Sequence, residues 1–210
     1  MVLSAHHVRW AGLVAMVGGM LTVILTFPFA AAYFHAYGGV DVPPLWLPAV
    51  RSSFDPLLTF ASPVAVYTTY GRVFEFVYLL ILPGVVGLHA LQRPANNRFE
   101  HWGYGILIIG LVMSFIGVAG DYWADGAGWG IELLGLLVLL IGTTLFGITS
   151  VRAKRIPPWS AGLLIVAGPV ALGATWLIGH IPSGPTFLFA AAWVVLGYVL
   201  WHQENDGREG

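Results

Sequence analysis

Residues 10–34 read WAGLVAMVGGMLTVILTFPFAAAYF, and this stretch decides the fold class because none of its side chains is charged. A transmembrane helix needs about 20 predominantly apolar residues, so we interpret 10–34 as a first membrane span. The alternative is a secretory signal peptide, with His6, His7 and Arg9 as its basic end and residues 30–32 as a small-residue cleavage site. Such peptides have apolar cores of only about 7–15 residues, which favours a retained helix.

The composition of the whole chain predicts the same environment. Of its 210 residues, 58% are hydrophobic and 9% are charged, whereas roughly a quarter of the residues in soluble domains are charged. Five further apolar runs follow the first, and they predict spans at about 72–91, 102–120, 129–150, 159–179 and 185–201. We therefore expect an all-α polytopic transmembrane bundle of six helices, with residues 1–210 in a single domain.

Basic residues are distributed unevenly between the two sets of loops. If the N-terminus is inside, the outer segments hold only Arg51 and Arg72. The inner segments hold Arg9, Arg93, Arg98, Arg152, Lys154, Arg155 and Arg208. Because cytoplasmic loops retain Lys and Arg, we predict a protein of the cytoplasmic membrane with both termini inside.

The longest predicted connection, residues 35–71, is rich in proline and aromatic residues and would lie outside. Asp55-Pro56 and Ser62-Pro63 each place a capping side chain before a proline, which is typical of a helix start. Short helices at 57–61 and 64–67 would lie in the outer interface and form a cap. Such a cap either covers a cavity that opens outward or only packs against the bundle.

Glu132 is the main candidate for a catalytic residue. It lies in the first turn of the span at 129–150, where a buried acid costs about 2–3 kcal/mol or more, and the helix dipole offsets only about 0.3–1 kcal/mol of that cost. Glu132 is thus either an interfacial acid or a functional carboxylate in a cavity. As a general acid or base it would work with His180 or Asp121.

Glu75 is a further catalytic candidate, and Arg72 precedes it by three residues. Side chains at this spacing meet on one helix face, so a local ion pair is the simpler expectation for both. Four residues in or beside the outer loops are candidates for ligand binding, namely His35, Asp55, Arg72 and Asp125.

The sequence identifies no cofactor and no metal site. The residue types that bind zinc occur at the outer ends of the spans, in His35, His180, Asp121, Asp125 and Glu132. No H-E-x-x-H or other fixed spacing supports a site, so we assign none. No histidine lies in the middle of a span, which disfavours a haem held between helices. The absence of cysteine excludes thiolate sites, and a net charge of −1 gives no reason to expect nucleic-acid binding.

The sequence VRAKRIPPWSAGLLIVAGP at 151–169, with FLFAAAWVVLGYVLW at 187–201, resembles a loose group of small multi-pass membrane proteins of bacteria and archaea. The shared features are a basic turn, a Pro-x-Trp and Gly-Leu-Leu pattern, and a last span that ends near Gly-Tyr-x-Leu-Trp. The resemblance implies about six helices and no particular activity.

Three functions are compatible with these observations. We favour a non-enzymatic integral membrane protein that binds a small apolar ligand, a lipid or a partner helix under the cap. The first alternative is an intramembrane enzyme that acts on a lipid or isoprenoid at the outer leaflet, with Glu132 as its general acid or base. The second is an accessory subunit of a membrane complex or a small transporter. The expected partners are the lipid bilayer and either other membrane subunits or a second copy of the chain.

Overall fold

The computed structural model describes residues 3–38, 44–92 and 98–203, and within these ranges it contains helices and no strand. The helical segments are α1 (Ala5–Tyr37), α2 (Leu47–Leu58), α3 (Pro63–Phe74), α4 (Phe76–Gln92), α5 (Arg98–Trp123), α6 (Trp129–Ala153), α7 (Pro158–Ile178) and α8 (Ser183–Trp201). Only Glu75 separates α3 from α4, and the two form one continuous apolar helix.

Six helices are long and apolar enough to cross a membrane, which confirms the prediction of a multi-pass, all-helical membrane protein. They are α1, the joined α3 and α4, α5, α6, α7 and α8. Their outward-facing side chains therefore have lipid as their solvent, since a spanning helix satisfies its own backbone hydrogen bonds.

Consecutive spans pack side by side, and α8 returns to α1 so that the helices close into a ring. The most extensive packing joins α5 to α6 and α1 to α8. At one end of the ring, Arg9 donates a hydrogen bond from Nε to the carbonyl oxygen of Trp201 over 3.0 Å. The first and last spans therefore meet there, and we call this end the termini end and the opposite end, where α2 lies, the cap end.

Glycines at seven-residue spacing explain the close approach of α5 and α6. Gly103, Gly110 and Gly117 of α5 lie against the backbone of α6, where a Cβ atom would crowd or collide with it. Gly128, which immediately precedes α6, and Gly135 and Gly142 of α6 lie against α5 in the same way. Small residues at such contacts are the usual means of helix association in lipid, where burial of apolar surface gives no driving force.

Polar contacts at the termini end hold α4 to α5. His89 Nδ1 lies 2.6 Å from Glu100 Oε1. The His89 ring also stacks on Tyr104, with ring centroids 3.8 Å apart and planes 9° from parallel. These contacts supplement the packing between α4 and α5, which is the least extensive between neighbouring spans.

At the cap end, α2 packs its buried residues Leu47 and Leu58 against the last turns of α1 and the first turns of α3. Trp46 fixes the start of α2, because its Nε1 donates to the carbonyl oxygen of Leu177 over 3.0 Å. The helix start that we expected at Asp55-Pro56 is instead a kink inside α2, where Phe54 has non-helical angles of φ −117° and ψ 18°.

The predicted helix start at Ser62-Pro63 coincides with the start of α3. The short interfacial helix expected at 64–67 is instead the beginning of a 30-residue apolar helix, Pro63–Gln92. The helix that contains the predicted span 72–91 therefore begins at Pro63, inside the segment that we interpreted as the cap. This extension is stabilised by packing, because Val66 is fully buried against the end of α1.

Candidate functional site

A cavity of about 250 Å³ lies at the cap end, between α1, α3, α6 and the connection from α7 to α8. Its wall consists of Tyr33, Tyr67, Trp129, Thr175, Gly179, His180 and Ile181. Pockets for drug-sized ligands usually have volumes of about 300–1,000 Å³. This cavity is therefore suited to a smaller molecule.

His180 is the histidine of the wall, and it is only 4% exposed. Its Nδ1 lies 2.8 Å from Ser183 Oγ, and its Nε2 lies 3.2 Å from the hydroxyl oxygen of Tyr67. Burial lowers the pKa of His180 to about 3. The imidazole is therefore neutral near pH 7, with one nitrogen that donates and one that accepts.

Tyr67 extends this hydrogen bonding to α5, because its hydroxyl oxygen lies 2.6 Å from that of Tyr122. The Tyr122 ring packs directly on Gly71 of α3, where a Cβ atom would collide with it. Phe29 of α1 is fully buried beside these groups, with its ring centroid 4.6 Å from that of His180. The network thus lies in apolar surroundings that exclude water from one side.

Glu132 lies close to this network but does not line the cavity. It is fully buried, and its backbone packs against Gly117 of α5. Neither carboxylate oxygen has a hydrogen-bond partner among the described residues. The carboxyl group is near enough to interact electrostatically with Tyr67 and Tyr122, and half-buried Asp121 interacts electrostatically with it. Of the four catalytic candidates, His180, Asp121 and Glu132 are therefore brought to one region.

Glu75 lies elsewhere, and although Arg72 interacts with it electrostatically, the two side chains do not form the close ion pair that we expected. Both Glu75 carboxylate oxygens accept a hydrogen bond from Trp123 Nε1, over 3.0 and 3.1 Å. The Arg72 guanidinium lies 4.3 Å from the centroid of the Trp123 ring, and Arg72 Nε donates to the carbonyl oxygen of Tyr122 over 3.0 Å. Trp123 thus contacts both charges, because it offers a hydrogen-bond donor to one and a π-face to the other.

The other ligand-binding candidates, His35, Asp55 and Asp125, are exposed, and none of them lines the cavity. Asp125 lies in the connection from α5 to α6, with a positive φ of 49°. Within the described ranges, no three His, Asp or Glu side chains are close enough together to hold a metal ion. The zinc ligands that we considered are therefore not gathered into one site.

The aromatic residues of the site, Tyr33, Tyr67, Tyr122 and Trp129, were not predicted from the sequence. Each lies near the end of a span, where tyrosine and tryptophan commonly anchor a helix in the interface. No spacing rule distinguishes such an anchor from a residue in a cavity wall. Tyr67 belongs to a cluster of aromatic residues in the sequence, with Tyr70, Phe74 and Phe76, and this cluster is the one signal that could have drawn attention to α3.

Chemically, the arrangement offers aromatic rings, a neutral imidazole and nearby carboxyl groups. The residues of the cavity wall come from four separate parts of the chain. No family model, curated protein or solved structure matches this chain.

Proposed function

We propose that this integral membrane protein binds a small molecule in the cavity at its cap end. The observation that carries the proposal is the wall itself, in which Tyr33, Tyr67 and Trp129 surround a space of about 250 Å³ beside His180. Binding sites for small molecules are typically concave, largely aromatic and equipped with a few polar groups.

The wall is held in place before any ligand binds. Tyr67 is fixed by hydrogen bonds to Tyr122 and His180, and Tyr33 packs on His180 with ring centroids 5.0 Å apart. Side chains that are already ordered lose little conformational entropy on binding, which favours affinity.

In this proposal the cap end faces away from the cytoplasm. The structure groups Arg9, Arg98 and Arg152 with the termini end, since Arg9 contacts the last span and Arg152 lies over the ring of Phe99. This grouping supports the orientation that the positive-inside rule predicts. A ligand would then enter from outside or from the outer leaflet.

The enzyme alternative has less support. A polar cavity shared by Glu75 and Glu132 would favour it, but Glu75 is bound by Trp123 while Glu132 is buried between α5 and α6. Glu132 alone favours chemistry at this site. Binding is the simpler function, because it needs only groups that are already positioned. No described contact specifically favours an accessory subunit or a transporter.

Native mass spectrometry of the purified protein tests the proposal. Thr175→Trp places a large side chain in the cavity wall, and Leu172→Trp places the same side chain on the lipid-facing side of α7, where Leu172 is 59% exposed. We expect a bound small molecule on the wild type and on Leu172→Trp, and none on Thr175→Trp. Equal occupancy of both variants would contradict the proposal, provided that their circular dichroism shows the same helix content.

A further inference from the structure

The wall of the cavity is built for a particular kind of ligand. Three of its seven residues, Tyr33, Tyr67 and Trp129, have electron-rich aromatic rings. A cation within about 6 Å of such a ring centroid is attracted by the ring quadrupole, and several rings around one space form the usual receptor for alkylammonium groups.

No positive charge competes with a cation in this wall. None of the seven lining residues is Lys or Arg, and the lowered pKa of His180 keeps its ring neutral. Arg72 is nearby on α3, but its guanidinium is engaged by the Trp123 ring and by the Tyr122 carbonyl oxygen. The cavity is therefore poorly suited to an anion, which would require positively charged donors.

Two carboxyl groups lie near the aromatic wall. Asp121 and Glu132 both interact electrostatically with Tyr67, whose ring lines the cavity. Glu132 is fully buried, and both of its carboxylate oxygens are without a hydrogen-bond partner in the part of the chain that the structure describes. Burial favours the neutral acid, and a cation bound nearby favours ionisation of Glu132, because electrostatic attraction is strong in a medium of low polarity.

We propose that the ligand is a small organic cation with a trimethylammonium or similar alkylammonium group, bound between Tyr33, Tyr67 and Trp129 and attracted by Glu132 and Asp121. This inference rests on the proposed binding function and names its ligand class. A metal ion is a poorer fit, because no three His, Asp or Glu side chains of the described residues lie close enough together to hold one.

Two sources could supply the same group. The alkylammonium group belongs either to the headgroup of a choline lipid in the surrounding leaflet or to a free compound in solution. Both present the same cation to the same ring faces, so the experiment compares them in membranes of different composition.

The test measures equilibrium binding of radiolabelled choline to the full chain in nanodiscs of phosphatidylglycerol, which contain no choline. The competitor is 3,3-dimethylbutan-1-ol, which has the shape of choline with a neutral carbon in place of nitrogen. We expect saturable choline binding, with the neutral compound competing at least about tenfold more weakly because it lacks cation–π attraction. Equal competition by the two compounds overturns the inference.

Two variants locate the binding. Trp129→Leu removes a ring from the wall, whereas Trp176→Leu removes a ring that is 90% exposed on the neighbouring α7. We expect about a tenfold loss of choline affinity for the first variant and no change for the second. Glu132→Gln should also weaken choline binding while leaving that of the neutral compound unchanged. If Trp129→Leu and Trp176→Leu bind choline equally, the cation does not occupy this cavity and the inference is wrong.

The outcomes separate this inference from the proposed function. If choline does not bind but native mass spectrometry finds a neutral molecule that Thr175→Trp excludes, the cavity is a binding site and its ligand class is wrong. If neither measurement detects a bound molecule, both proposals are wrong. Repeating the choline titration in phosphatidylcholine nanodiscs identifies the source of the group. An increase in the apparent Kd for choline shows that the lipid headgroup occupies the cavity. An unchanged Kd indicates a free compound.

Discussion

The hydroxyl oxygens of Tyr67 and Tyr122 lie 2.6 Å apart, and this contact joins α3 to α5 at the cap end. The same Tyr67 hydroxyl reaches His180 in the connection between α7 and α8. Residues that are 55 and 113 positions apart are therefore linked through one oxygen atom. This link fixes the ring that forms one side of the cavity.

Removal of that oxygen should destabilise the protein. Tyr67→Phe leaves Tyr122 and His180 without a shared partner in buried surroundings, and an unsatisfied buried polar group costs about 1–3 kcal/mol. Tyr37→Phe is the matched control, because Tyr37 is 56% exposed and also packs against Tyr67. Unfolding titrations in mixed detergent micelles should show a lower free energy of unfolding for Tyr67→Phe only. Equal values for the two variants would show that the hydrogen bonds contribute little.

His180 should make stability depend on pH. Its pKa is about 3 in the folded protein and about 6.5 in the unfolded chain. Between these values the unfolded chain binds one more proton, so the free energy of unfolding falls as the pH falls. The stabilisation is complete above about pH 6.5, and about 1.4 kcal/mol is lost for each pH unit below it.

His180→Gln isolates this effect, because all other titrating groups are the same in both proteins. The free energy of unfolding of the wild type should fall more steeply between pH 6.5 and pH 4.5 than that of His180→Gln. Parallel curves would mean that His180 is accessible to protons in the folded state.

The packing of α5 on α6 should not tolerate a methyl group at Gly117. A Cβ atom there would collide with the backbone of Glu132, whereas a Cβ atom at Gly105 on the same helix meets nothing within 4 Å. Overpacking of a close contact costs about 1–3 kcal/mol. Gly117→Ala should therefore lower the unfolding free energy, and Gly105→Ala should leave it unchanged or raise it slightly. Equal stability of the two variants would contradict the close helix contact.

The orientation of the bundle is tested by single cysteines, which the cysteine-free chain makes simple to interpret. Asp125→Cys lies at the cap end and Lys154→Cys lies at the termini end, and both residues are exposed. A membrane-impermeant maleimide added to intact cells should label Asp125→Cys and should label Lys154→Cys only after the cells are opened. The reverse pattern would invert the proposed topology.

The sequence was sufficient for the helical class because each span carries its own signal, an apolar run long enough to cross a bilayer. The glycines of α5 and α6 also recur every seven residues in the sequence, and the structure places them at the contact between the two helices. Both signals are local, so they do not depend on which helices become neighbours.

The site could not be predicted in this way. Tyr67 and His180 come together only when α3 and the α7–α8 connection pack against α1, and a tyrosine near a span end otherwise indicates an interface anchor. The expected pairing of Arg72 with Glu75 considered one helix in isolation, whereas Trp123 from α5 interacts with both residues. Glu132 was identified because a carboxyl group within an apolar run is costly wherever it lies.

Access to the cavity from the cap end tests the central claim most directly. The reagent is MTSET, a membrane-impermeant methanethiosulfonate with a trimethylammonium group, and the measurement is its rate of reaction with Thr175→Cys in intact cells. The control is Leu172→Cys, whose side chain faces lipid on the same helix. We predict rapid modification of Thr175→Cys from outside, slowed by excess choline, and slow modification of Leu172→Cys. Failure of Thr175→Cys to react from outside, or equal rates for the two variants, would contradict an outward-facing binding cavity.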